Sequence, residues 1–164
     1  MSYFPAGFPG HRRVAASEPG WKVGLVGCGH MGLGAMASPD RDPIVYIVED
    51  DEAVRDALAV LLEATGYAVG AFASARAFLD GYRPGRRGCL LVDLDLPGMD
   101  GPELVGMLVA RRAELPAVLM SGRMRKLRLR NPLPPGVVGL LEMPFGDHEL
   151  LQRIAFALRS GLTQ

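Results

Sequence analysis

At 164 residues the chain fits one ordinary domain with a buried core, and its 18 Lys and Arg balance its 18 Asp and Glu. That balance excludes an overall basic bias toward nucleic acid or anionic lipid, so any charge-based function must be local. Two distant cysteines, Cys28 and Cys89, with no C-x-x-C spacing, exclude a disulfide framework and fit reduced thiols in a cytoplasmic setting.

Residues 1–42 carry eight glycines and four prolines among scattered polar residues and keep no period of 3.6 or 2, the composition of a flexible tail. Within the tail, VGLVGCGHMG (Val23 to Gly32) raises an alternative reading of the whole chain. An apolar run followed by Gly27, Gly29 and Gly32 in G-x-G-x-x-G order is how dinucleotide-binding folds begin, and Glu49 ends a strand pattern 22 residues after Gly27. The stretch resembles the opening of hydroxyacid dehydrogenases. The helix that must follow it fails, because Gly34, Pro39 and Pro43 interrupt the residues available for it. An NAD-binding oxidoreductase fragment is therefore the distant alternative. A leader with Met31 or Met36 as the natural start is the bland one. Val23 to Ala37 is too short and too rich in glycine to cross a bilayer, which takes about 20 apolar residues. Ala35-Met36-Ala37 and the run ending at Cys28 match a signal-peptide cleavage site and a lipoprotein box only superficially.

From Ile44 the texture changes to short apolar runs alternating with helical patterns, the signature of βαβ units on a parallel sheet. IVYIV (Ile44 to Val48) predicts a buried first strand that ends in Glu49, Asp50 and Asp51. Val54, Leu58, Leu61, Leu62 and Thr65 share one face of a first helix, which Gly66 stops. Tyr67 to Phe72 predicts the second strand, Ser74 caps a short helix to Tyr82, and Cys89 to Val92 forms a third strand running into Asp93. A third helix starts at Pro102, with Leu104, Val105, Leu108 and Val109 on its inner face. Ala117 to Met120 is the fourth strand and Val137 to Leu141 the fifth. Asp147 is expected to cap a last helix whose face is Leu150, Leu151, Ile154 and Leu158. The connection SGRMRKLRLRNPLPPG holds Pro132, Pro134 and Pro135, so the fourth helix is expected to be short or irregular.

In an open parallel sheet the loops at the carboxyl ends of the strands gather in a crevice where strand order reverses. Glu49 and Asp50 follow strand one and Asp93 ends strand three, so neighbouring strands one and three would crowd three carboxylates together. Uncompensated, these would raise one another's pKa values. A hard divalent cation such as Mg2+, which takes oxygen ligands and keeps several waters, relieves that repulsion.

VEDDEAVR, VDLDLPGMDG, Ser121-Gly122 after strand four and EMPF at Glu142 to Phe145 resemble the receiver domain of two-component response regulators, in order and spacing, from Pro43 to about Leu158. The resemblance implies a flavodoxin-like (βα)5 doubly wound sheet of strand order 2-1-3-4-5 and a receiver over 43–160; with the sequence ending just after the last helix, no output domain is expected behind it. It implies Asp93 as phosphoacceptor, Asp50 and Asp93 as Mg2+ ligands, Glu49 acting through water, and the backbone carbonyl of Asp95 completing the set. Ser121 would donate its hydroxyl to a phosphoryl oxygen. The phosphodonor would be a histidine kinase or phosphotransfer protein. A downstream protein, or a second copy in a dimer, would dock on the side formed by the fourth connection, strand five and the last helix.

Two departures accompany the resemblance. The lysine that receivers carry just before the proline after strand five is Met143, and their switch aromatic three positions earlier is Leu140. A thioether has neither charge nor hydrogen bond to give. Two readings follow: a working phosphoacceptor in which Arg123, Arg125 or Lys126 supplies the missing cation, or a docking module that no longer depends on phosphorylation. RMRKLRLR (Arg123 to Arg130) places five cations in eight residues, but without a helix-turn-helix or interleaved aromatics it reads as a solvated face or an acidic-protein contact rather than a nucleic-acid site. His148, beside Asp147, is expected at a surface helix position, Met99 in a turn and Met107 in the core.

Overall fold

The computed structural model describes residues 43–122 and 133–161. Nine elements alternate along them: β1 (Ile44–Val48), α1 (Glu52–Ala64), β2 (Ala68–Phe72), α2 (Ala75–Gly81), β3 (Gly88–Asp93), α3 (Gly101–Ala110), β4 (Ala117–Ser121), β5 (Val137–Glu142) and α4 (Asp147–Ser160). The five strands form one parallel sheet of order β2-β1-β3-β4-β5, the doubly wound flavodoxin-like arrangement the sequence predicts. The irregular fourth helix expected between β4 and β5 falls largely on residues 123–132, outside the described residues, as does the tail over 1–42.

The strands read as unbroken apolar runs because both faces of the sheet are covered. Tyr46, Val48, Leu90 and Val92 point to one face, where Phe78 of α2 and Leu104, Val105 and Leu108 of α3 pack on them. Val45, Ile47, Cys89 and Leu91 point to the other, against Leu58 and Leu62 of α1 and Leu150, Ile154, Ala157 and Leu158 of α4. On the first face Tyr46 and Phe72 meet Phe78 edge to face, with centroids 5.5 and 5.3 Å away.

Local chemistry sets the helix ends. Asp51 accepts from the N–H groups of Ala53 and Val54 at 2.9 and 3.1 Å and starts α1, and Ser74 accepts from Ala77 N–H at 3.1 Å and starts α2. Gly66, at φ +93°, takes the left-handed turn after α1. Three expectations change. Thr65 is exposed and closes α1 by donating its hydroxyl to the Leu61 and Leu62 carbonyls at 3.2 and 2.9 Å, instead of packing on the inner face. Val109 is 40 % exposed, because the buried stripe of α3 centres on Leu104 and Leu108 and the next residue has turned about 100° away. Asp147 does not cap α4: Gly146 is the N-cap, without a side-chain bond, and Asp147 is the first helical residue, placed to favour the helix dipole.

α3 starts with a capping box, Asp100 accepting from Glu103 N–H at 2.7 Å and Glu103 from Asp100 N–H at 3.0 Å. Its first residue, Gly101, is pressed against the end of β3: a Cβ there would stand 2.5 Å from the Asp93 carbonyl oxygen. Only glycine permits that approach. Gly101→Ala is therefore expected to lower stability by about 1–3 kcal/mol in urea melts. Gly106→Ala, in the same helix with open space around it, is expected to raise it by about 0.5–1 kcal/mol. Equal effects at the two positions would contradict the close approach.

Candidate functional site

Parallel pairing of β1 with β3 in the register Val48↔Val92 delivers Glu49 and Asp93 side by side at the carboxyl end of the sheet. Glu49 carries the pairing one step further on the other side, its N–H reaching the Phe72 carbonyl at 3.1 Å. The chain then turns into α1, and Asp50 joins them: one carboxylate oxygen from each of Glu49, Asp50 and Asp93 lies within 4.8 Å of the others. Glu49 is 3 % exposed and Asp93 9 %, whereas Asp50 faces solvent.

Two carboxyls at this end titrate high. Burial pushes Glu49 up to about 7, the Asp51 N–H on its Oε1 at 3.1 Å opposes the rise, and the charges of Asp93 and Asp50 add to it. Burial also raises Asp93, against the pull of the Asp95 and Leu94 N–H groups and with the charges of Asp95 and Asp50 behind it. The second oxygen of Glu49, Oε2, is buried and has no hydrogen-bond donor among the described residues. An acceptor in that position costs free energy until a donor, water or cation satisfies it.

An all-oxygen donor set suits a hard cation. Two oxygens bound directly to one Mg2+ stand at most about 4.2 Å apart, since each bond is 2.0–2.1 Å. The three carboxylate oxygens lie within 4.8 Å of one another, close enough for one hard cation to draw on them directly or through its own waters. The residues present fit Mg2+.

Ser121 ends β4 and is 1 % exposed. Asp95 is exposed and turns its carboxylate toward Ser121, with 3.5 Å between Oδ2 and Oγ, longer than an O–H···O bond. The side chain of Asp95, and not its backbone alone, thus borders the site. Leu140 is half-buried and packs against the core on the α2 and α3 face. Met143 is half-buried just beyond β5, its N–H donating to the Ser121 carbonyl at 3.0 Å, and precedes a cis bond to Pro144. Arg123, Arg125 and Lys126 lie outside the described residues. His148 is exposed on α4 beside Gln152, and Met99 and Met107 are half-buried.

Residues 45–155 match the profile described as the response regulator receiver domain. The chain belongs to the response regulator receiver family. Over 114 residues it is 38 % identical to the transcriptional regulatory protein FixJ of Azorhizobium caulinodans, a match covering 70 % of this chain and 54 % of that one. Among solved structures it is similar to full-length FixJ from B. japonicum, with 32 % identity, a TM-score of 0.62, and 75 % of this chain and 61 % of that one covered. The structure described as FixJ-N gives 31 % identity and a TM-score of 0.62, over 73 % of this chain and 95 % of that one. The chain spans about half the length of the curated relatives it matches. Receivers are signalling modules that bind Mg2+ in an acidic pocket and exchange contacts with histidine kinases or phosphotransfer proteins and with downstream targets. No described helix of this receiver is long and apolar enough to cross a membrane.

Two residues at the site escaped the sequence reading, Gly101, which admits α3 to the Asp93 backbone, and Arg55, buried on α1; Asp51, expected only as an acid after β1, also caps α1. Asp100 to Glu103 had the D-x-x-E signature of a capping box and Arg55 stood among apolar residues at helical spacing, so both carried a legible signal.

Because the Glu49 carboxyl binds its proton more tightly in the folded chain than when unfolded, stability should fall as pH rises from 4.5 through about 7, by at most about 3 kcal/mol. Thermal melts in EDTA should show that decline in the parent and a shallower one in Glu49→Gln. Mg2+ should stabilise the parent more at pH 8 than at pH 5. Parallel pH profiles for parent and variant would contradict the assignment.

Proposed function

We propose that this receiver accepts a phosphoryl group on Asp93 from a histidine kinase or phosphotransfer protein, and signals through protein contacts. The observation that carries the reading is the cluster of Glu49, Asp50 and Asp93, with a buried Glu49 oxygen that no described residue supplies with a donor. Asp50 and Asp93 would hold Mg2+ directly, with Glu49 through water and the Asp95 backbone carbonyl beside them. Bound there, the cation supplies positive charge against the phosphoryl oxygens.

The steps assigned to the chain itself are few. An oxygen of the Asp93 carboxylate attacks phosphorus as the bond from phosphorus to the donor's imidazole nitrogen breaks, and the imidazole leaves with its electron pair. The Asp95 N–H faces the carboxylate, the Leu94 N–H ties the end of β3 to β4 by donating to the Met120 carbonyl at 2.8 Å, and Gly101 admits α3 to the backbone beneath. Ser121 turns its hydroxyl from the Asp95 side to a phosphoryl oxygen, a small movement that biases the surface around β5 and α4. At the position of the family lysine, Met143 gives no charge and no donor. One electrostatic donor of that kind is worth roughly 3–4 kcal/mol of transition-state stabilisation. Arg123, Arg125 or Lys126 would make up part of it. On this reading the chain works in the cytoplasm, and beyond taking its own phosphoryl group and losing it again it is not an enzyme.

A second reading, a docking module independent of phosphorylation, draws on Leu140 packing against the core in place of a switch aromatic. In the NAD-binding alternative Glu49 would meet a ribose, but it is buried among carboxylates.

Intact mass after incubation with acetyl phosphate separates the readings. The parent should gain one phosphoryl group only with Mg2+ present, Asp93→Asn should gain none, and Met143→Lys should raise the occupancy. A folded parent that gains nothing supports the docking module. A lysine variant no better than the parent means that another cation already serves the site.

A further inference from the structure

Of the three buried residues on α1, two are leucines and the third is Arg55, 9 % exposed. A guanidinium in that position must be compensated by hydrogen bonds. Its Nη1 donates to the Glu49 carbonyl at 2.8 Å and to the Asp50 carbonyl at 3.3 Å. These carbonyls belong to the two residues whose carboxylates meet Asp93. The turn between β1 and α1 is thus tied to β2 by Glu49 N–H, to itself by Asp51 N–H on Glu49 Oε1, and to α1 by Arg55.

We propose that Arg55 is a positioning residue of the acidic cluster: from α1 it holds the Glu49–Asp50 turn by both carbonyls, aims the two carboxylates at Asp93, and so sets the affinity for a divalent cation. The inference rests on reading the cluster as a Mg2+ site. Two effects of Arg55 oppose each other. As a nearby positive charge it would repel Mg2+, so that removing it would tighten binding; as a clamp it would weaken binding when lost. The clamp dominates, because the guanidinium is engaged by the two peptide carbonyls of the turn at 2.8 and 3.3 Å. Partners that orient metal ligands in this way are typically worth 10–100-fold in metal affinity.

Calorimetric titration with Mg2+ of the full chain tests this, with circular dichroism in EDTA confirming folding. The parent should bind and Asp50→Asn should not. Arg55→Met should bind about tenfold more weakly or worse, and Arg55→Lys, which keeps a charged donor under the turn, should recover most of that loss. A folded Arg55→Met that binds as tightly as the parent, or more tightly, overturns the proposal. If that variant does not fold, Arg55→Gln, which keeps a neutral donor, carries the same expectation and the same refutation. A parent that binds no Mg2+ removes the metal reading itself, and the clamp with it.

Discussion

The register between β1 and β3 is the constraint from which the site follows. Pairing Val48 with Val92 leaves the next residue on each strand, Glu49 and Asp93, adjacent at the end of the sheet, where no further strand pairing between β1 and β3 separates them. A slip of one residue would exchange the side chains of β1 between two differently packed faces and would put Val48 or Asp50, in place of Glu49, beside Asp93. The core therefore enforces the proximity of the carboxylates. Burying Tyr46 and Val48 on one face and Val45 and Ile47 on the other fixes the register, and the fixed register holds two acids together against their repulsion.

That repulsion gives the site its chemistry. A protein interior that merely tolerated the acids would pair each with a donor, yet among the described residues Glu49 Oε2 has none. The folded chain stores an unfavourable charge arrangement that a divalent cation relieves, and under the proposed function the same positive charge then receives the phosphoryl oxygens. Met143 makes this dependence sharper. Under the proposed function, a thioether at Met143 in place of an ammonium leaves more of the neutralisation to the metal.

Much of this was legible in the sequence. The apolar runs gave the strands and the helix faces gave the layers, because a sheet covered on both sides must be apolar throughout and its helices on one stripe only. The carboxylates could be gathered on paper, since strand ends in a parallel sheet share one edge. Less legible were the features that depend on distance rather than period. That Gly101 must be glycine follows from a 2.5 Å approach of backbone to backbone, and that Asp95 turns its side chain to Ser121 follows from a loop conformation. Asp147 and Thr65 show the same limit at helix ends, where a shift of one residue separates a cap from a first turn and a packed side chain from one that bonds carbonyls.

The central claim is that three carboxylates held together by strand register form a divalent-cation site. Anomalous scattering from crystals grown with Mn2+, an oxygen-seeking ion that can stand in for Mg2+, locates such an ion without reference to activity. One peak is expected, bounded by Asp50 and Asp93 with Glu49 at water-bridged distance, and it should be lost in Asp50→Asn crystals. A well-ordered Glu49–Asp50 turn with no peak beside it, at Mn2+ concentrations that stabilise the protein against heat, would contradict the claim.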